Sequence, residues 1–373
     1  MTSRQPGWIK TAKTLLPAIA CSALVCLVSQ AAFAQAGDNI RMQYPQLADL
    51  FNAFNVTQAQ TFEAIATINV QPVYTSVRAE LREHLELMKR MTRSELMAVG
   101  VMDRSPYLDM EIAARINLLA VMRATHSDEE AANAYTGNAA IGRHASEILR
   151  RGRTFENRLF EIYIDDNITD KRAAVNVAIT HYLSDDRHSV SSSPRASKIL
   201  IEHDQATGFK TAFPRLSALM WTQQWLQLAA LEAVILKTLD KQFSRGVETA
   251  LERFWNKIGT EGGMSMFPPP SELPMAPAIA PDLYTQSPEA AIILDNLNIL
   301  ETVLADILSY PDAEGREAKM DTAVALFTNK AADDSPPAEY LLFALRGGIY
   351  NQGGPVVGEL MRSERNRSRG QVP

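Results

Sequence analysis

Along most of this chain apolar residues recur at steps of three and four, the period of a helix with one face turned toward a core. Val77, Leu81, His84, Met88 and Met91 form one such stripe, and Ile293, Leu297, Leu300, Leu304 and Ile307 form another. The segment from Leu216 to Leu236 breaks the pattern. Its only charge is Glu232 and its apolar side chains occur all round, which predicts the central, most buried helix of the fold. A membrane span is the competing reading, but Gln223, Gln224 and Gln227 in mid-segment would each need a partner in lipid. No alternating run bounded by Asn-Gly or Asp-Gly competes with helix anywhere, so the expected fold is all-α.

Helices are expected near 46–69, 72–98, 106–125, 128–135, 139–165, 169–185, 194–206, 215–240, 244–258, 288–309, 313–331, 337–346 and 355–363. Four Ser-Pro pairs, at 105, 193, 287 and 335, read as helix starts, the serine capping the first turn and the proline occupying the first helical position. Thr57 to Gln60 and Ser127 to Glu130 have capping-box spacing.

Composition shifts sharply at 259–288. Seven of the 19 prolines lie between Pro268 and Pro288 behind Gly259, Gly262 and Gly263, so a long helix cannot persist there. Met264, Met266, Phe267, Leu273, Met275 and Ile279 make the stretch too apolar for a free linker. The expectation is an irregular multi-helix bundle of two parts. A larger helical domain, 35–258, is joined by a Gly/Pro-rich extended arm, 259–288, to a smaller C-terminal helical region, 289–363, with a disordered tail at 364–373.

The start of the chain changes the picture most. Arg4, Lys10 and Lys13 precede an apolar stretch from Leu15 to Val28, and Ala32-Phe33-Ala34 is a small-x-small site before Gln35. Residues 1–34 therefore read as a signal peptide, too short in its apolar core to span a membrane, which takes roughly 20 residues. The mature chain is then expected in the periplasm or outside the cell, with no transmembrane segment after cleavage. Both cysteines, Cys21 and Cys26, lie inside this segment, so the mature protein has neither disulfides nor thiolate ligands. The net charge of −6 becomes more negative once the three leader cations are gone, and that balance argues against nucleic-acid partners.

Candidate chemistry is sparse. His181, Asp185 and His188 stand at i, i+4 and i+7, with Glu202, His203 and Asp204 in the next predicted helix. Two or three imidazoles and a carboxylate would suit Zn²⁺ with a position left for water. His84, Met88 and Met91 offer the thioether and imidazole set of Cu(I), and Met264-x-Met266 is a weaker cue of the same kind. Met at a stripe position is nevertheless usual packing. Trp221 and Trp225, one turn apart, could line a ligand pocket or stack in the core. Arg143, Arg150, Arg151, Arg153 and Arg158 could face an anionic ligand or partner, or form an ion-pair face with the interleaved Glu147, Glu156 and Glu161.

None of the six histidines has Glu three residues before it, so the di-iron bundle signature fails. His-Glu-x-x-His, Gly-x-Ser-x-Gly and the phosphate loop are absent as well. Three readings follow: a non-enzymatic binding or scaffold protein engaging an envelope partner, a metal-dependent enzyme or carrier at His181/Asp185/His188 with His203, and a small-ligand receptor around Trp221 and Trp225. For the leader, expression of the full sequence in an exporting host is expected to yield an envelope-fraction protein beginning at Gln35 or Gly37. A cytoplasmic product that retains residue 1 would refute the signal reading, and N-terminal sequencing of each fraction distinguishes the two.

Overall fold

The computed structural model describes residues 36–88, 90, 105–195, 206–259, 270, 272–312, 314–331 and 336–350. The segment read as a signal peptide, the bulk of the helix expected at 194–206, the helix expected at 355–363, the tail expected at 364–373, and Met91, His203, Met264 and Met266 lie outside them. Among the described residues the chain is all-α, as the periodicity requires. The helices are α1 (Ala36–Gln43), α2 (Pro45–Asn69), α3 (Thr75–Met88), α4 (Leu108–Arg123), α5 (Asp128–Asn133), α6 (Gly142–Ile164), α7 (Lys171–Leu183) and α8 (Thr207–Ala212). They continue with α9 (Pro214–Leu239), α10 (Gly246–Gly259), α11 (Ala276–Ile279), α12 (Pro281–Gln286), α13 (Pro288–Ser309), α14 (Arg316–Thr328) and α15 (Pro337–Tyr350). No described helix is long and apolar enough to cross a membrane.

Helix α9 is the buried centre expected from its composition. It starts on Pro214, holds no Gly or Pro after that, and is almost wholly buried from Leu216 to Leu236 against α2, α4, α6, α10 and α12. A second helix is buried on every side, and its sequence stripe did not predict this. From Ala290 to Ser309 each residue of α13 is buried, against α2, α6, α7, α8, α12 and α14. One continuous hydrophobic core contains residues of both helices. Gly152 lets α6 approach α13 closely, because a Cβ there would stand 2.5 Å from Leu297 Cδ2.

The described part of the arm carries the short helices α11 and α12. Prolines end a helix from within but fit its first turn, where no N–H is needed, so Pro277, Pro281 and Pro288 each open a new helix. Leu273, Met275, Ala276, Ile279, Ala280 and Leu283 are buried in the core. The same junction recurs at Tyr44-Pro45 and Phe213-Pro214. The residue before proline adopts φ −137°, ψ 63° at Tyr44 and φ −135°, ψ 63° at Phe213, outside the α region that proline denies it.

Helix capping differs from the sequence reading. Ser127 Oγ does accept from Glu130 N, at 3.1 Å. Thr57, in contrast, lies inside α2, where its hydroxyl donates to Ala53 O. Ser287 precedes α13 but makes no side-chain cap, and Ser105 donates to Glu111 Oε2 at 2.8 Å while α4 begins after Tyr107.

Several first turns are capped instead by fully buried carboxylates from remote helices. Glu111 Oε1 accepts from Arg215 N at 2.6 Å and Leu216 N at 3.1 Å at the start of α9. Glu232 Oε2 accepts from Asp282 N and Leu283 N, both at 3.2 Å, at the start of α12. Asp295 Oδ1 accepts from Ala276 N at 2.8 Å for α11, and Asp306 Oδ1 from Phe209 N at 2.8 Å for α8. These acceptors supply what the exposed first-turn N–H groups of a helix lack, and their charge suits the positive end of its dipole.

Glu111→Ala is therefore expected to lower stability by about 3 kcal/mol, because it strands the buried Leu216 N–H and the part-buried Arg215 N–H and Ser105 hydroxyl. Glu111→Gln, which keeps an acceptor, should cost clearly less. Urea unfolding of the two variants checks this, and an equal loss in both would show that the hydrogen bonds are not what matters.

Candidate functional site

The interior holds a charged cluster where the arginine-rich segment of α6 meets α13. Arg153 Nη1 donates to Glu156 Oε2 at 3.0 Å and Arg153 Nη2 to Glu301 Oε2 at 2.8 Å, all three side chains being buried. Tyr135 donates to Glu301 Oε1 at 2.7 Å, Gln224 Nε2 to Glu301 Oε2 at 2.9 Å and Gln227 Nε2 to Glu156 Oε2 at 2.8 Å. Two carboxylates thus face one guanidinium, and neutral donors complete their hydrogen bonding. Burial favours the protonated form of Glu156 and raises its carboxyl, against the pull of Arg153. Burial and the Glu301 charge also hold the Tyr135 phenol far above its usual range. The remaining arginines divide differently: Arg150 pairs with Glu147 at the surface, and Arg151 donates to His181 O and Tyr182 O at the end of α7.

Asp185 and His188 come together, with His188 Nδ1 3.0 Å from Asp185 Oδ2. Asp185 Oδ1 also accepts from Arg187 N and His188 N, so this carboxylate organises the turn after α7. The His188 ring meets that of His144 edge-on at 5.6 Å, while His181 is exposed in the last turn of α7. Among the described residues no group of three or more His, Cys, Asp or Glu side chains is placed to hold a metal ion, and His203 lies outside those residues.

Trp221 and Trp225 are 1% and 0% exposed, and neither lines the two clefts described below. Trp221 Nε1 donates to Thr302 Oγ1 at 3.2 Å, and the buried Lys257 ammonium stands 4.9 Å from the Trp225 ring centre. His126 is buried, with Nδ1 2.9 Å from Glu130 Oε1 and Nε2 2.8 Å from Val121 O. Burial disfavours its charge, but the two acceptors outweigh burial and raise its pKa.

A cleft of about 540 Å³ lies between α3, the end of α13 and α14. Leu85, Ile307, Ala323 and Leu326 contribute apolar surface, while Arg82, Arg316 and Lys319 bring positive charge. Arg82 grips Asp312 with Nε at 3.0 Å and Nη2 at 2.6 Å from Oδ1, and this holds α3 against the loop before α14. Arg316 Nη2 donates to Tyr310 O at 3.1 Å, and its buried Nε has no hydrogen-bond partner among the described residues. A second, smaller cleft of about 250 Å³ lies among α1, α2, α5 and α6, over Arg153 and Tyr135. Sequence reasoning missed both clefts, because a polar residue on a cleft wall has the same helical spacing as one on an open surface. The chain matches no protein-family model, no curated protein and no solved structure.

The buried carboxyls imply a pH dependence. Burial pushes Glu232 up to about 8 and Asp295 up to about 7, although each accepts hydrogen bonds that favour its charge. Both bind their proton more tightly folded than unfolded. The stability they contribute is full below about pH 4 and is lost as pH rises through their folded values. Lys257, pushed down to about 8 first by burial and then by Arg253, works the other way, but only above that pH. The urea midpoint is therefore expected to fall between about pH 5 and pH 8, with Glu232→Gln and Asp295→Asn each flattening the profile. A native profile that is level or rises over this interval would contradict the assignment.

Proposed function

We propose that this chain is an exported, non-enzymatic binding protein of the cell envelope, and that its ligand is a small amphipathic anion held in the α3–α13–α14 cleft. The observation that carries this reading is the combination of size and lining. At about 540 Å³ the cleft falls within the range of small-molecule sites, which are mostly apolar with a few placed polar groups. Arg82, Arg316 and Lys319 outnumber Glu86 and Asp312 on its walls, a local positive excess in a chain of net charge −6. Arg82 and Asp312 already satisfy each other, which leaves Arg316 and Lys319 for an incoming carboxylate or phosphate. The apolar tail of such a ligand would lie along Leu85, Ile307 and Leu326. Export rests on the features of residues 1–34, and the binding role unites the binding-protein and small-ligand readings of the sequence at a different place in the fold.

Calorimetric titration of the purified protein with decanoate, below its micellar concentration, and with decanol as the uncharged control tests this. Decanoate is expected to bind saturably and decanol at least ~10-fold more weakly, the difference being one charge-assisted contact. Lys319→Glu should weaken decanoate by a similar factor, since Lys319 is an exposed side chain whose replacement leaves the core intact. Equal affinity for the acid and the alcohol, or decanoate binding indifferent to Lys319→Glu, would overturn the reading.

A further inference from the structure

The smaller cleft carries an independent inference. Its walls include Phe51, Asn52 and Asn55 of α2, Tyr135 after α5, and Arg153 and Asn157 of α6. Three of the arginines around it are already matched within the protein. Arg41 is bonded to Asp49 at 2.6 Å and to Asp128 at 2.8 Å, Arg150 to Glu147, and Arg153 to Glu156 and Glu301. An anion seated on Arg41, Arg150 or Arg153 would have to break one of these pairs, and parting the buried one leaves an uncompensated interior charge.

What the cleft offers freely is neutral hydrogen bonding. Asn55 is 8% exposed, and its amide makes no hydrogen bond to any described residue. That amide faces the cleft, where water or a ligand can bond to it. Asn52 spends its N–H donors on His126 O at 3.1 Å and Asp128 Oδ1 at 2.7 Å, which leaves its carbonyl as an acceptor. Arg153 has five N–H donors, of which Nη1 and Nη2 each use one on a carboxylate, so a hydroxyl oxygen can accept from the others without disturbing those pairs. The Thr154 hydroxyl donates to Arg150 O at 3.2 Å and can still accept.

From this set we infer that the cleft over Arg153 is a second binding site, for a neutral polyhydroxylated molecule of about monosaccharide size. Each hydroxyl of such a ligand both donates and accepts, matching the mixed set of spare amide, carbonyl, hydroxyl and guanidinium groups. Phe51, Ala131 and Ala132 on the walls offer apolar surface to its C–H faces. The volume of about 250 Å³ would otherwise hold roughly eight waters at their liquid volume. A ligand that displaces them gains if it reproduces their hydrogen bonds.

Ligand-detected NMR and calorimetry on the purified protein, with glucose, galactose and myo-inositol as neutral probes and glycine, acetate and inorganic phosphate as charged ones, decide the matter. At least one neutral polyol is expected to bind saturably and more tightly than every charged probe. Asn55→Leu should weaken that binding by ~10-fold or more, as expected for loss of a buried amide's hydrogen bonds. Lys319→Glu, in the other cleft, should leave it unchanged. If Asn55→Leu does not fold, Asn55→Ser is read in its place. The inference falls if no neutral polyol binds saturably, if a charged probe binds best, or if the Asn55 variants bind the polyol as the native protein does. Because the two clefts share no lining residue, failure with decanoate would not affect this outcome.

Discussion

The fold depends on one constraint: α9 and α13 are buried on all sides, so the polar side chains along them need partners inside the fold, and on α9 only Gln223 Oε1, Gln224 Oε1, Gln227 Oε1 and Trp225 Nε1 go without one among the described residues. An unpaired polar group in a protein interior costs as much as several favourable contacts contribute. On α13 most of the buried polar side chains are met from other elements. Asp295 accepts from Ala276 N and from the Tyr340 hydroxyl, and Asn296 donates to Ser191 O and Ser193 O. Glu301 takes Tyr135, Arg153 and Gln224, Thr302 takes Trp221, and Asp306 takes Phe209 N. The helix thereby fixes the position of α6, α8, α9, α11 and α15 as well as filling the space among them. Apolar packing supplies most of the favourable free energy of burial, and the polar partners determine which packing is allowed.

The carboxylate caps follow from the same constraint. In this chain many helices are joined by a single pre-proline residue, which leaves no loop from which a local side chain could cap the next helix. Proline removes one first-turn donor, and at α9 and α12 a remote carboxylate takes what remains, Glu111 for Arg215 N and Leu216 N and Glu232 for Asp282 N and Leu283 N. A buried acid is tolerable here because the cap and the helix dipole both stabilise its charge, yet burial still raises Glu232 and Asp295 toward neutral pH. Capping and pH sensitivity are therefore two consequences of one placement.

The sequence was legible wherever a signal is local. Pro288 to Ser309 is helical over the whole span that periodicity assigned, the central helix lies where composition placed it, and Ser127 caps α5 as its spacing indicated. It was not legible where two distant segments cooperate. The stripe from Ile293 to Ile307 marks one face of α13, and Asp295, Glu301 and Asp306 between its members resemble a solvated face until Ala276, Arg153 and Phe209 are seen opposite them. Thr57 has the spacing of a cap but lies inside a helix, where its hydroxyl bonds to its own backbone and accepts from Gln223 Nε2 at 2.8 Å. The clefts were hidden for the same reason: Lys319 and Asn55 acquire their surroundings from helices remote in sequence.

The smaller cleft and the core are not separate systems. Tyr135 and Arg153 line the cleft, and both bond to Glu301 in the middle of α13. Gln224, on the other buried helix, bonds to the same carboxylate. A hydrogen bond made to Arg153 or Tyr135 from the cleft would therefore act on a network shared by α6, α9 and α13, where the low dielectric strengthens each interaction and the loss of one partner is felt by the others. Unlike Asp185, a half-exposed side chain spent on a turn, Glu301 ties three helices and a cleft wall together. Any effect of a ligand in this cleft on the rest of the molecule has a short path, one side chain long on each side of a single carboxylate.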